Sequence, residues 1–211
     1  LALADVAAER AHVVPRAARM RAIVAVGAAD AGVAGDRHER CAQDGFDVVL
    51  AHLVIDHRDA FAVGVAEQAD GGLGLRPRVV ACEHGTRSVV RFEPDGARTV
   101  LADRFDGKRF NSPNDVVVAS DESVWFTDPT YGIDSFDEGY PAETEIGASY
   151  VYRIDPADGA VTAQITDMVR PNGLAFSVDE RSLYVADTGV SHVEDGPRHI
   201  RRYDVDLAAG R

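Results

Sequence analysis

NDVVVASDESVWFTD at 114–128 and NGLAFSVDERSLYVAD at 172–187 are two versions of one unit, and reading them as a repeat decides the fold. Each opens with an Asn, runs through an apolar stretch, turns at an Asp-Glu pair and closes a second apolar stretch with an Asp. Aligned on the Asn, Asp121 and Glu122 match Asp179 and Glu180, Trp125 corresponds to Tyr184, and the closing residues are Asp128 and Asp187. Two short apolar runs joined by turn-forming residues describe a β-hairpin. A hairpin that recurs with its polar ends intact can bring several copies of those ends together.

The same rhythm extends in both directions. VVAC, SVVRF and TVLAD precede the first copy, YVYRID and VTAQI lie between the copies, and HIRRYD follows the second. Turn formers such as PDG, DPTYG and DPADG separate them, and no convincing helix intervenes, so the spacing predicts an all-β fold. RFEPDG at 91–96, RIDPADG at 153–159 and RYDVDLAAG at 202–210 read as successive unit endings. Units of roughly 40 to 50 residues holding four strands are propeller blades. The wider first step is accounted for by an acidic insertion, GIDSFDEGYPAETEIG at 132–147. Trp125 and Tyr184 are expected in the blade core, Cys82 inside a strand, and Asp95, Asp121, Glu122, Asp179 and Glu180 in outer turns.

Residues 1–77 lack this rhythm and are left unassigned. Patches such as AAERAHVVPRAARMRAIVAV look helical. The stretch reads either as an unrelated helical or flexible extension or as sequence foreign to the native coding frame. Residues 78–211 are expected to form a partial β-propeller of about three blades.

Charge and composition exclude several functions. With 22 Lys and Arg against 35 Asp and Glu, the net charge is −13. A nucleic-acid partner is therefore not expected, because phosphate binding needs a basic footprint. No apolar run approaches the roughly 20 residues that span a bilayer, so no membrane partner is expected either. Cys41 and Cys82 match no zinc spacing and are too few for a disulfide framework. No signal-peptide core is recognisable, and a cytoplasmic location is the expectation.

Blade geometry places candidate residues. The loop entering an inner strand and the loop leaving the next strand lie at the same end of a propeller. Asn114 and Asn172 precede inner strands, Asp128 and Asp187 follow second strands, and Glu83 with His84 holds the equivalent place in the preceding unit. Such a ring of amide and carboxylate oxygens suits a hard divalent cation, Ca²⁺ or Mg²⁺.

The stretches at 107–133 and 170–189, extended by 80–96 and 195–205, resemble the SMP-30/gluconolactonase/luciferin-regenerating enzyme family, and its bacterial gluconolactonase branch in particular. The resemblance covers about 78–211. It implies a six-bladed β-propeller with one divalent cation in the channel, Ca²⁺ foremost, with Mg²⁺, Zn²⁺ or Mn²⁺ as the other choices. It also implies hydrolysis of a small-molecule lactone. On the matching motifs, Asn114 (in SPND) and Asn172 (in RPNG) become metal ligands, with Asn114 also a substrate-positioning group. Asp128 and Asp187 become candidate bases, and His84 a substrate-binding or proton-transferring group.

Two family ligands have no counterpart: a Glu from an E-G-P-x-W motif, since the only Trp is Trp125, and an Asp from a later blade. Six blades need roughly 300 residues, so the chain reads as a fragment. The alternative expectation is thus a non-catalytic propeller fragment, or a ligand- or partner-binding module without a complete metal site. Exposed blade edges would then favour self-association.

Overall fold

The structure is a computed structural model that describes residues 62–68, 78–93 and 95–211. The helix-like patches expected before residue 62 lie outside the described residues. Thirteen strands are described, and the ten runs read as strands above all form one. They make three antiparallel meanders. The first sheet contains β1 (Ala62–Gln68), β2 (Arg78–Glu83), β3 (Ser88–Phe92) and β4 (Arg98–Ala102). A small hairpin, β5 (Arg104–Phe105) and β6 (Lys108–Arg109), follows.

The second sheet contains β7 (Val116–Val118), β8 (Val124–Asp128), β9 (Tyr150–Ile154) and β10 (Val161–Ile165). The third has β11 (Pro171–Phe176), β12 (Ser182–Asp187) and β13 (His199–Asp204). The inner strands β1, β7 and β11 run in order along one side, β7 touching both of the others. This is a partial propeller of three blades. Its one α-helix among the described residues is α1 (Tyr131–Asp134), in the acidic insertion between β8 and β9. No described helix is long and apolar enough to cross a membrane.

The second blade is packed on both faces, which explains a strand as apolar as VWFTD. Val124 and Phe126 of β8, with Tyr152 and Ile154 of β9, join Val80, Cys82 and Val89 of the first blade in one core. Trp125 and Val151 point the other way and pack with Leu174, Leu183 and Val185 of the third blade. Alternation along a strand sends successive side chains to opposite faces, and here both faces are dry. The first core is aromatic: Phe126 lies edge-on to Phe110 at 5.1 Å and stacks on Tyr152 at 5.3 Å between ring centroids.

The same alternation overturns one expectation. Trp125 is buried, but Tyr184 is 41% exposed. It lies between Leu183 and Val185, whose side chains take the face toward the second blade, so Tyr184 falls on the opposite face. The unit endings are also shifted in phase. RFEPDG and RIDPADG form the hairpins between third and fourth strands, closed by Glu93 N–H to Ala97 O and Asp155 N–H to Ala160 O, each at 2.9 Å. The Asp-Glu pairs are turns, as read. Asp121 and Asp179 accept the N–H two residues on, and Glu122 and Glu180 adopt left-handed φ values of 69° and 54°.

Since Phe126 is fully buried between two rings, Phe126→Ala should destabilise the fold by about 3–5 kcal/mol. Urea denaturation followed by Trp125 fluorescence measures this; a loss below about 1 kcal/mol would contradict the packing described.

Candidate active site

The site is built from three polar strand ends. Glu83, Asp128 and Asp187 each close a second strand, paired across to the first residue of the third strand: Ser88, Tyr150 and His199. Asp128 and Asp187 then do the same thing. Asp128 accepts the backbone N–H groups of Asn111 at 2.9 Å and Ser112 at 2.8 Å. Asp187 accepts those of Val169 at 2.9 Å and Arg170 at 3.0 Å. In both loops these are the residues three and two places before the Asn. The residue between, Pro113 or Pro171, has no N–H to satisfy. Each carboxylate therefore neutralises the donors of the loop that presents the Asn of its own blade. Glu83 departs from the pattern: its carboxylate turns to Arg98, with which it is ion-paired, and to Thr86.

What reaches the mouth is one linked row of side chains from all three blades. His84 Nε2 lies 3.2 Å from Asn114 Oδ1. Asn114 Nδ2 donates to Asn172 Oδ1 at 2.8 Å. Asn172 Nδ2 donates to Thr188 Oγ1 at 3.2 Å, and Thr188 Oγ1 lies 2.5 Å from the Tyr131 hydroxyl. Of the five residues expected at the site, the structure brings together His84, Asn114 and Asn172. Asp128 and Asp187 stand behind them, with the bonds just given to backbone donors; Asp187 also accepts the N–H of Gly189.

Thr188 and Tyr131 were not anticipated. The repeat held a signal for Thr188, which follows Asp187 as His84 follows Glu83. Nothing in the repeat marks Tyr131, because it belongs to the insertion.

Two loops roof this row. In the first, Gly132 is so close to His84 that an added Cβ would stand 2.6 Å from the His84 Cβ and 2.8 Å from the Ser112 Cβ. Gly139 packs back on the Gly132 carbonyl, where a Cβ would be 2.2 Å from the oxygen. The loop after β12 repeats the device with Gly189 and Gly196, a Cβ on Gly196 lying 2.6 Å from the Gly189 carbonyl carbon. In both loops the glycines are seven residues apart. The two loops meet where the His192 ring lies 5.3 Å from the Tyr131 ring, and Arg170 of the third blade's entry loop is ion-paired to Asp134 at 2.5 Å and placed 5.4 Å over that Tyr131 ring. Asn172 and Thr188 are the partly exposed members of the row, whereas His84 is almost fully covered.

Burial lowers the His84 pKa, and its contact with the Glu138 carbonyl, 3.1 Å from Nδ1, works against that shift. Burial pushes the Asp128 carboxyl up to about 7, against the downward pull of its two N–H donors and of Arg87. The Cys82 thiol is also driven upward, first by burial and then by nearby carboxylates, which keeps it from acting as a thiolate.

Among the described residues no three His, Cys, Asp or Glu side chains converge to hold a metal. The amide oxygens in the row are those of Asn114 and Asn172, each already turned to a neighbour within it. They are the right kind of donor for a hard cation but fewer than the 6–8 that Ca²⁺ takes. The described residues thus match such an ion in donor type but not in number.

With that geometry in hand, a model of the SMP-30/gluconolactonase/LRE-like region matches residues 51–211. The chain belongs to this family. The match begins inside the stretch where the sequence shows no blade rhythm, in keeping with β1 being hydrogen-bonded to β2.

Among relatives, a gluconolactonase from Zymomonas mobilis subsp. mobilis is 37% identical over 125 residues, which are 58% of this chain and 34% of that protein. A lactonohydrolase from Aspergillus oryzae is 32% identical over 94 residues, 44% of this chain and 21% of its own length. A solved gluconolactonase from Xanthomonas campestris is 41% identical with a TM-score of 0.56, covering 60% of this chain and 40% of that one. The chain therefore spans about a third or less of the curated relatives it matches. These three relatives are lactone-hydrolysing proteins by name.

Asp128 gives the fold a pH signature. Its carboxyl holds a proton more tightly folded than unfolded, so between about pH 4 and pH 7 only the folded chain keeps it. Its contribution to stability falls as pH rises through that window, by up to about 1.4 kcal/mol per pH unit. Asp128→Asn, compared with wild type by urea denaturation at pH 5 and pH 8, should remove this component. Equal pH dependence in the two proteins would rule it out.

Proposed function

We propose that this chain carries part of the active site of a metal-dependent lactone hydrolase of the gluconolactonase type. One observation supports the reading above others: three successive blades each send a polar side chain, His84, Asn114 and Asn172, into a single hydrogen-bonded row at one mouth. A structural network would not need this row at the one place where inner strands begin. Family membership and the names of the relatives supply the reaction class.

In this proposal Asn114 and Asn172 offer their amide oxygens to a divalent cation, Ca²⁺ first, with the remaining ligands drawn from outside the described residues. Such a cation, when bound, polarises the lactone carbonyl. The protein's own groups position the substrate. The His84–Asn114 contact, at 3.2 Å, is long for a hydrogen bond, and a sugar hydroxyl can replace it. Nδ1–H of His84 donates to the Glu138 carbonyl, so Nε2 of the neutral ring accepts from that hydroxyl and can take its proton. Asp128 and Asp187 hold the Asn-bearing loops through backbone N–H groups, so their part is to place the ligands, not to activate water. The loop of Gly132 and Glu138 keeps bulk solvent from His84.

Hydrolysis of glucono-δ-lactone by the purified chain, with and without a chelator, tests the reading. Turnover should be abolished by chelation and restored by Ca²⁺. Asn172→Ala should lower turnover at least about 10-fold and weaken metal binding. Chelator-resistant turnover, or a variant unchanged at saturating Ca²⁺, would remove the metal role. A folded chain with no turnover under any condition would favour a binding module without catalysis.

A further inference from the structure

Arg87 stands in a left-handed backbone conformation, φ 57°, where a glycine would be relaxed and an arginine is not. It ends the turn that follows β2, with its N–H bonded to the His84 carbonyl at 3.1 Å. Such a conformation persists where the surroundings over-determine it. Here the side chain is buried and tied at its far end, Nε donating to the Phe110 carbonyl at 2.6 Å.

Phe110 belongs to the entry loop of the second blade, and its ring is fixed in the aromatic core. The next two residues, Asn111 and Ser112, are the ones whose N–H groups Asp128 accepts. A second arginine crosses the same gap in the opposite direction. Arg109 Nη2 donates to the Thr86 carbonyl at 2.9 Å. Its backbone N–H is held by Glu145 at 2.8 Å, and the other oxygen of that carboxylate stands 4.0 Å from Arg87 Nη1. Hydrogen bonds from charged donors are stronger than neutral ones, so two of them make a firm tie.

These bonds fix the separation of the 84–87 turn from the 110–114 loop. The side chains at the mouth on either side of that gap are His84 and Asn114, 3.2 Å apart. We infer that Arg87 and Arg109 are positioning residues that set the distance between His84 and Asn114 across the junction of the first two blades. At the next junction the place of Arg87 falls on Gly132, four residues after Asp128 as Arg87 is four after Glu83. There an arginine of the entry loop, Arg170, crosses to Asp134 instead. The effect on turnover rests on the lactonase reading above; the spacing itself does not.

NMR of the ¹⁵N-labelled chain reads the spacing directly. Arg87→Gly deletes the crossing arm and relaxes the backbone at this φ, so the chain should stay folded. The His84 ring and Asn114 side-chain amide signals should then shift and broaden. Arg109→Met, which keeps the N–H to Glu145, should give the same changes in weaker form and carries the test if Arg87→Gly does not fold. Arg87→Lys, which can still donate to the Phe110 carbonyl, should restore part of the wild-type signals.

In parallel, KM for gluconolactone should rise about 10-fold in Arg87→Gly, roughly the worth of one hydrogen bond to the substrate, with kcat changed less. A fall in apparent kcat at constant KM, tracking the folded fraction, would reduce the two arginines to structural ties. Unchanged His84 and Asn114 signals in folded Arg87→Gly and Arg109→Met would overturn the positioning role, whatever the turnover. Signals that move as described in a chain without turnover would uphold it and would count against the lactonase reading alone.

Discussion

The carboxylate at the end of a second strand, bonded to two backbone N–H groups of the loop that enters its blade, is the constraint on which the site depends. An entry loop must deliver its Asn at the start of the inner strand and still lie against the buried end of the blade. Its backbone donors would be orphaned there, at a cost of roughly 1–3 kcal/mol each. Asp128 and Asp187 supply both acceptors at once, and a proline removes the next donor. The Asn then has one available place, at the mouth. Packing of the second blade on both faces holds these loops in register with the first and third blades.

Much of the architecture was readable from residue order alone. Val-, Tyr- and Phe-rich runs bounded by PDG or Asp-Glu turns have few alternatives to short antiparallel strands. β1 escaped because AVGVAEQ is built mostly from small residues, includes a glycine and has little β-forming bulk. It becomes a strand because β2 and the second blade give it partners. The β5–β6 hairpin has only two residues a side, too few for any periodicity. Tyr184 shows the limit of the repeat. Equivalent positions share a backbone place, but burial depends on whether another blade covers that face.

The site divides the same way. Spacing located the two asparagines, since a repeated polar residue before an inner strand has little structural reason to recur there. It could not separate the roles of the aspartates. A carboxylate in a turn can face a channel or its own backbone, and sequence alone does not choose between them. Tyr131 was beyond reach for another reason. Its role comes from contact between insertions of different blades, which have no common period.

The paired glycines in the two roofing loops bear on how such a mouth can change over time. Gly132 with Gly139, and Gly189 with Gly196, close each loop into a small ring whose backbones touch, with no room for a methyl group at either end. Single replacements at these closures are blocked, whereas the six residues strung between each pair are mostly solvent-facing. Diversity in this part of the molecule should therefore come as whole-loop exchange between fixed glycine hinges. A library built to alter ligand choice would do best to keep the four glycines and vary the stretches they enclose.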